Sequence, residues 1–252
     1  MKKRILYFII LSFLSTAIPS MAFAQEDENN EQDSVEVELP KKEKKRRGFI
    51  GFSAGPAFPI GNYGSEDWNQ DKSGFTDMGY HFTAIDFGYK FVPSFGLSLA
   101  FKGANIPMNL QEIANNYAQE YGGQFSVKST RWNYGGIYVG PIVSIVPSKF
   151  FEIDFRFQTG LMLAFSPELE VTRGAEYTKQ DGAIGPSISV TLGAGARVHF
   201  SKRFSATVAV EYLRARPTFT VEYSSNNSFE SETVYQDITT VNASVGLALR
   251  IF

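Results

Sequence analysis

The sequence predicts an all-β protein: an eight-stranded antiparallel up-and-down transmembrane β-barrel behind a signal peptide and a disordered leader. Three observations predict it. Residues 151–165 (FEIDFRFQTGLMLAF) carry a large apolar residue at every odd position except Thr159, the period-two pattern of a strand with one apolar face. That run is far longer than an ordinary strand of roughly 5–6 residues and long enough to cross a bilayer at a tilt, which takes about 9–11. Tight turns recur at Pro93, Pro147 and Ser201, 54 residues apart, each closely followed by a phenylalanine (Phe95, Phe150, Phe204), with long polar segments between them. Short turns at one end, long loops at the other and aromatics at the interface organise barrels of this kind. The N-terminus, finally, reads as an export signal.

In that signal Lys2, Lys3 and Arg4 precede the uncharged apolar run Ile5–Leu14, and Ala22-Phe23-Ala24 supplies small residues at the cleavage positions. Cleavage between Ala24 and Gln25 follows. The apolar run is too short for a membrane helix, which needs roughly 17–25 residues. Residues 25–47 form a leader with seven acids between Glu26 and Glu38, then Lys41, Lys42, Lys44, Lys45, Arg46 and Arg47. It cannot bury enough apolar area to offset its ordering entropy. It is expected to be a solvated linker on the periplasmic side; the alternative is contact of its basic cluster with anionic headgroups.

The barrel domain is expected over residues 48–252, with strands at roughly 48–60, 77–91, 95–106, 132–146, 150–166, 186–200, 204–221 and 235–252. Four loops follow at about 61–76, 107–131, 167–185 and 222–234, placed outside the cell because tight turns face the periplasm. In the sixth strand, Ile188, Val190, Leu192, Ala194, Ala196 and Val198 alternate with Ser187, Ser189, Thr191, Gly193, Gly195, Arg197 and His199. A soluble barrel would carry Lys and Glu on its wet face. Runs of Gly, Ser and Ala instead suit a cramped interior, which eight strands enclose. The small polar face therefore points inward and the apolar face meets lipid.

The inward positions include four acids (Asp86, Glu152, Asp154, Glu211) and five bases (Lys90, Lys102, Arg156, Arg197, Arg250). Counting from the turns puts Asp86, Lys102, Arg156 and Glu211 at mid-height and the others lower. Buried charges left unpaired are costly, so a charge-balanced plug is expected. A gated ion path, in which pairs exchange partners, is the alternative.

Other candidates are weaker in chemistry. His199-Phe200-Ser201 has the His-x-Ser spacing of outer-membrane lipid A deacylases, but it runs into a predicted periplasmic turn, where Ser201 serves as a turn residue. Asp67, Asn69, Asp71 and Ser73 imitate the start of a calcium loop, yet Lys72 stands where Gly is required and Met78 where Glu is required. The absence of cysteine excludes a disulfide scaffold and a thiolate site, and two histidines, His81 and His199, give little basis for a dedicated zinc centre. No metal or cofactor is expected. The net charge of −2 gives no reason to expect nucleic acid. In the second loop, Leu110, Ile113, Tyr117 and Tyr121 recur at helical spacing between Asn109 as N-cap and Gly122 as C-cap; this helix is expected to cap the barrel mouth. Arg214 and Arg216, and Arg131 beside Trp132, stand near the outer rim. There they are either ordinary rim decoration or contacts to lipopolysaccharide phosphates, with the aromatic at the interface.

The opening strand from Gly48 to Asn62 (GFIGFSAGPAFPIGN), the Pro-centred turns and the closing segment Val245–Phe252 (VGLALRIF) resemble the bacterial outer-membrane β-barrel family, similar in architecture to OmpA and OmpX barrels and including PorT-type proteins. The resemblance covers about residues 48–252. It implies an outer-membrane location, outer-membrane lipids and lipopolysaccharide as surroundings, and insertion by the barrel-assembly machinery. Phe252 resembles the terminal signal that machinery reads, although Arg250 and Ala248 stand where apolar residues usually share its face. The expected role is non-enzymatic: a structural, adhesive or accessory envelope protein with an extracellular or secretion-complex partner. The rivals are a narrow channel, a PorT-like secretion accessory and a lipid A hydrolase.

Overall fold

The computed structural model describes residues 47–70, 72–226 and 228–251. The predicted signal peptide, the Ala24–Gln25 cleavage site, residues 25–46 of the leader and Phe252 lie outside the described residues. The described strands are β1 (Gly48–Pro59), β2 (Gly79–Val92), β3 (Phe95–Ile106), β4 (Ser126–Ser129), β5 (Trp132–Ser148), β6 (Phe151–Phe165) and β7 (Leu169–Arg173). They continue with β8 (Glu176–Gln180), β9 (Ile184–His199), β10 (Phe204–Ala215), β11 (Thr218–Ser225), β12 (Phe229–Tyr235) and β13 (Ile238–Ile251). Among the described residues one α-helix, α1 (Leu110–Tyr121), lies between β3 and β4.

Eight strands close a barrel in the order β1-β13-β10-β9-β6-β5-β3-β2. Every neighbouring pair is antiparallel, and β1 with β13 joins the two ends of the wall. The alternation in sequence sets the faces. On β6 the even residues Glu152, Asp154, Gln158, Met162 and Ala164 are buried, while Phe155, Phe157, Leu161 and Leu163 are exposed on the outside. On β2 the pairing slips between Thr83 and Ile85. Such a bulge moves the inward parity by one residue, so His81 and Thr83 face the lumen below one rule and Gly88 and Lys90 below the other. Glycines admit the lumen aromatics: a Cβ at Gly88 would enter the ring of Phe49, and one at Gly160 would meet Tyr138 Cδ1 at 2.8 Å.

The structure corrects the expectation of four plain loops. A second sheet of five strands forms in the order β12-β11-β8-β7-β4. Its order repeats that of the barrel strands β13-β10-β9-β6-β5, and each strand is joined to its barrel counterpart by two or three residues. Five of the eight barrel strands therefore continue beyond the wall. The expected strand at 204–221 is two strands, β10 and β11, parted at residues 216–217, and the expected strand from 235 starts at Ile238.

The faces change meaning along this continuation. From β10 into β11 the odd residues stay on the inner side: Thr207, Ala209 and Glu211 give way to the buried Leu213, Ala215, Phe219 and Val221. The even residues stay on the outer side, where Val208, Val210 and Tyr212 give way to Arg214, Arg216, Thr218, Thr220 and Glu222. The apolar face is outside below Leu213 and inside above it. Matching changes occur at Asn105/Ile106 on β3, Trp132/Asn133 on β5 and Ile238/Thr239 on β13. Inversion points on four of the eight barrel strands, β3, β5, β10 and β13, therefore define one level, the inversion ring. An apolar exterior belongs in lipid and an apolar interior belongs under water, so the ring marks one surface of the bilayer.

Candidate functional site

The lumen is the place where polar chemistry gathers. Near the tight turns, Lys90 pairs with Glu152 and lies 3.9 Å from Asp154. Arg197 pairs with Asp154, and its Nη1 lies 3.9 Å from Glu152. Ser144 Oγ donates to Asp154 Oδ1 at 2.6 Å. The Arg197 guanidinium lies 3.6 Å from the centroid of the Phe49 ring, a cation–π contact strengthened by exclusion of water. One level higher, Arg156 Nη1 donates to both oxygens of Asp86 at 2.9 and 2.8 Å, and its Nη2 lies 3.6 Å from Asp154. Lys102 pairs with Glu211 and donates to Gln158 Oε1 at 2.7 Å. Gln158 Nε2 donates to Ser98 Oγ at 2.9 Å. Arg250 is half-buried at the foot of β13, and its backbone N–H donates to the carbonyl of Arg203 at the turn.

Register explains how a narrow lumen holds these side chains. Gly193 stands between Arg156 and Glu211 on the neighbouring strands, Gly195 opposite Asp154, and Gly136 opposite Lys102. Each of these charged positions faces a residue without a side chain, whereas Glu152 stands opposite Arg197. A cavity of about 50 Å3 remains, bordered by His81, Asp86, Lys102, Arg156, Glu211 and Ser244. Glu211 Oε1 is buried without a protein partner, and the cavity is roomy enough for water to satisfy it.

Above the charges lies a layer that sequence reasoning missed. Tyr63, Ile106, Trp132, Leu213, Phe219 and Ile238 form a buried apolar stopper. Trp132 presents its indole at steep angles to Tyr63 (5.7 Å, 80°) and Phe219 (5.6 Å, 66°). The expectation that Trp132 marks the lipid interface is thus corrected: its parity turns it inward, and it is 7% exposed. Tyr63 comes from the first loop, where Thr76 Oγ1 donates to its carbonyl. Helix α1 has the predicted ends: the Asn109 side chain accepts from the Glu112 N–H at 3.1 Å, and Gly122 takes φ 68°. Its Ile113 is buried.

The weaker candidates resolve individually. Ser201 Oγ accepts from the N–H groups of Arg203 and Phe204, which makes it a turn residue. His199 instead shares a 2.7 Å hydrogen bond between Nδ1 and Ser205 Oγ, and its Nε2 lies 3.6 Å from Glu152 Oε2. The order serine, histidine, acid is that of a hydrolytic triad. Ser205 has no exposed surface, however, and Glu152 is already held by Lys90, so no acyl group reaches the hydroxyl in this state. Counting across the tight turn, which pairs Ser205 with His199, would have found this contact in the sequence. In the first loop Asp67 Oδ1 accepts from the Asn69 N–H and the Asp67 carbonyl from Ser73 Oγ, while Asp71 lies outside the described residues. No group of three or more potential metal-binding side chains occurs among the described residues.

The outer wall decides the environment. Leu161, Ile188, Leu192 and Val245 are 75%, 72%, 60% and 66% exposed, within a belt that runs round the barrel. An apolar belt of that extent marks a membrane-facing surface, and the closed wall leaves no backbone edge unpaired in the hydrocarbon. The chain is a transmembrane β-barrel. Its sequence matches no protein-family model and no curated protein. Among solved structures it is similar to Neisserial surface protein A (12% identity, 81% of this chain and 97% of that one, TM-score 0.41). It is also similar to the outer membrane protease OmpT of Escherichia coli (8%, 81% and 94%, 0.49) and to Ail, the attachment invasion locus protein of Yersinia pestis (14%, 81% and 99%, 0.41).

Proposed function

We propose that this protein is a non-conducting, non-enzymatic barrel of the bacterial outer membrane that presents its five-stranded continuation outside the cell as an adhesive or accessory surface. The observation that carries the reading is the pairing of a doubly closed lumen with a sheet that rises beyond the bilayer. Among the described residues ion pairs fill the lower lumen and an apolar layer lies at the mouth, which supports a lumen without a water-filled route. The sheet, in contrast, ends in an open edge. Among the described residues β12 pairs only with β11, and its residues Phe229–Thr233 are exposed, with Phe229 at 67%. An unpaired strand edge is a template for another chain. Glu230 and Glu232 on it favour a basic, extended partner.

The leader is placed in the periplasm in this reading, the loops outside, and insertion falls to the barrel-assembly machinery. Planar-bilayer recording of the purified protein tests it: no steady conductance is expected. A steady current lost on replacing Lys102 or Arg156 would establish the narrow channel instead. Unchanged lipid A acylation in cells with and without the protein is the expected outcome for a non-hydrolase. Recovery of a membrane-bound secretion complex with the tagged barrel would favour the secretion-accessory role.

A further inference from the structure

The two edges of the five-stranded sheet are protected unequally. β4, four residues long, packs beside α1. β12, seven residues long, is covered at its lower end, where Gln236 Nε2 donates to the Lys72 carbonyl at 3.0 Å and the Lys72 ammonium lies on the Tyr235 ring. Residues 229–233 stay exposed. A free edge of that length is a feature that folded proteins otherwise cover or blunt.

Two hydrogen bonds fix which groups point outward from it. The Gln236 N–H donates to the Pro217 carbonyl at 3.1 Å, and the Ser228 carbonyl accepts from the Ser225 N–H at 2.9 Å. Backbone direction alternates along an antiparallel strand, so the even residues of β12 bond to β11. Phe229, Ser231 and Thr233 turn their N–H groups and carbonyls to the open side. The same parity sorts the side chains. Glu230 and Glu232 stand opposite Tyr223 and Val221 on the inner face, while Phe229, Ser231 and Thr233 stand opposite Ser224, Glu222 and Thr220 on the outer face. Among the described residues neither glutamate takes part in an ion pair.

A second copy of the chain does not fit this edge. With Ser231 opposite its own symmetry mate, Glu230 of each copy would meet Glu232 of the other on one face, and like charges directly opposite repel. A basic strand reverses the sign. In an antiparallel pair the even residues of β12 would occupy non-hydrogen-bonded positions, where opposed side chains come closest.

Building on the adhesive reading above, we propose that residues 229–233 take up an antiparallel strand of another protein that carries lysine or arginine at two alternate positions, opposite Glu232 and Glu230, with a β-branched residue between them. The backbone groups of Phe229, Ser231 and Thr233 supply the ladder, and the two carboxylates set its register.

The test is fluorescence anisotropy of labelled peptides titrated with the full-length barrel in detergent. One peptide alternates lysine with threonine, one has the same composition with its lysines in a block, and one alternates glutamate with threonine. The alternating lysine peptide is expected to bind at least tenfold more tightly than the block, and the glutamate peptide not at all. Ser231→Pro removes an outward N–H and no bond to β11, a change that an edge strand tolerates, and should abolish binding. Should it disturb the sheet, N-methylation of the alternating peptide at its bonding positions removes the same ladder and should also abolish binding. Glu230→Gln with Glu232→Gln should weaken binding at least tenfold and remove its salt dependence. Glu176→Gln, two strands away on β8, should leave it unchanged. Equal binding of the alternating and block peptides, or binding that survives both Ser231→Pro and N-methylation, would overturn the proposal. So would a dimer of the barrel that Ser231→Pro dissociates. Closure of the lumen is read separately by conductance, and a current there would overturn the functional reading with the peptide result intact.

Discussion

The barrel wall and its five-stranded continuation are built from the same strand lines, yet they obey opposite rules. In the wall, apolar residues face out and charges face in; in the continuation, Phe219, Val221 and Val171 face in and Thr218, Thr220 and Glu222 face out. Strand geometry is the same in both regions. What differs is the solvent, and the change of pattern at Leu213/Arg214, Trp132/Asn133 and Ile238/Thr239 records where lipid gives way to water. A charge is tolerated in the wall only inside and paired, and in the continuation almost anywhere outside.

Four measurements break or sharpen that contrast. The largest effect is expected from Asp154→Ala, which leaves Arg197 facing the lumen without its main partner and weakens the hold on Arg156. Loss of one member of a buried pair costs about 3–5 kcal/mol, read as a shifted urea midpoint for refolding into lipid vesicles. Replacing both Lys102 and Glu211 by Met and Leu should cost far less than either change alone, because no orphan charge remains. A loss equal to the sum of the singles would show that these ions do not act as a pair.

Next comes a charge moved along one strand line. Val208→Arg, in the lipid belt, is expected to cost about 2–4 kcal/mol, whereas Thr220→Arg, beyond the inversion ring, should stay within about 0.5 kcal/mol. Equal costs would remove the ring as a bilayer boundary.

The expected barrel follows from the residues because period two is enforced on both faces at once. Phe95–Ile106 emerges at its expected limits, since Leu97, Leu99 and Phe101 alternate with Ser98, Ala100 and Lys102 without a break. The continuation was not legible for the opposite reason. Glu176–Gln180 and Ser126–Ser129 are short and polar, and they pair only because taller neighbours hold them in register. The joint between β10 and β11 was invisible because parity persists through it while polarity reverses. That the lumen charges face inward follows from parity. Which acid meets which base follows from barrel shear, which a single strand does not carry. The stopper was hidden because Tyr63 sits in a segment that reads as an acidic loop.

The third measurement concerns α1. Asn109→Ala removes the side chain that accepts from Glu112 N–H, and about 1 kcal/mol of helix stability goes with it. Hydrogen exchange should rise in 110–113 and leave β6 and β9 unchanged. If the whole barrel loosened, the helix would be part of the wall's cooperative unit rather than a lid upon it.

The smallest effect is pH-dependent and local. Lys179 hydrogen-bonds Asp181 and Glu168 at 2.8 and 2.9 Å, and these contacts raise its ammonium above the usual lysine range. Because the folded value is the higher one, the stabilisation is complete below the ordinary lysine pKa of about 10.4 and is lost as pH rises through the raised value. Protection in the β7–β8 hairpin, relative to the intrinsic rise of amide exchange with pH, should therefore stay flat to mildly alkaline pH and fall only beyond it. Lys179→Met should abolish that step.

The inversion along β10 and β11 also sets a tolerance for evolution. The two strands share one parity, so a single residue inserted between Glu211 and Phe219 would leave the wall intact and rotate everything above it by half a turn. Phe219 and Val221 would then stand in water and Thr220 and Glu222 would crowd the mouth. Insertions of two residues would lengthen the tower without turning it. Length variation in this segment is thus expected to come in even steps, and an odd step would convert a sealed lid into an aggregating surface.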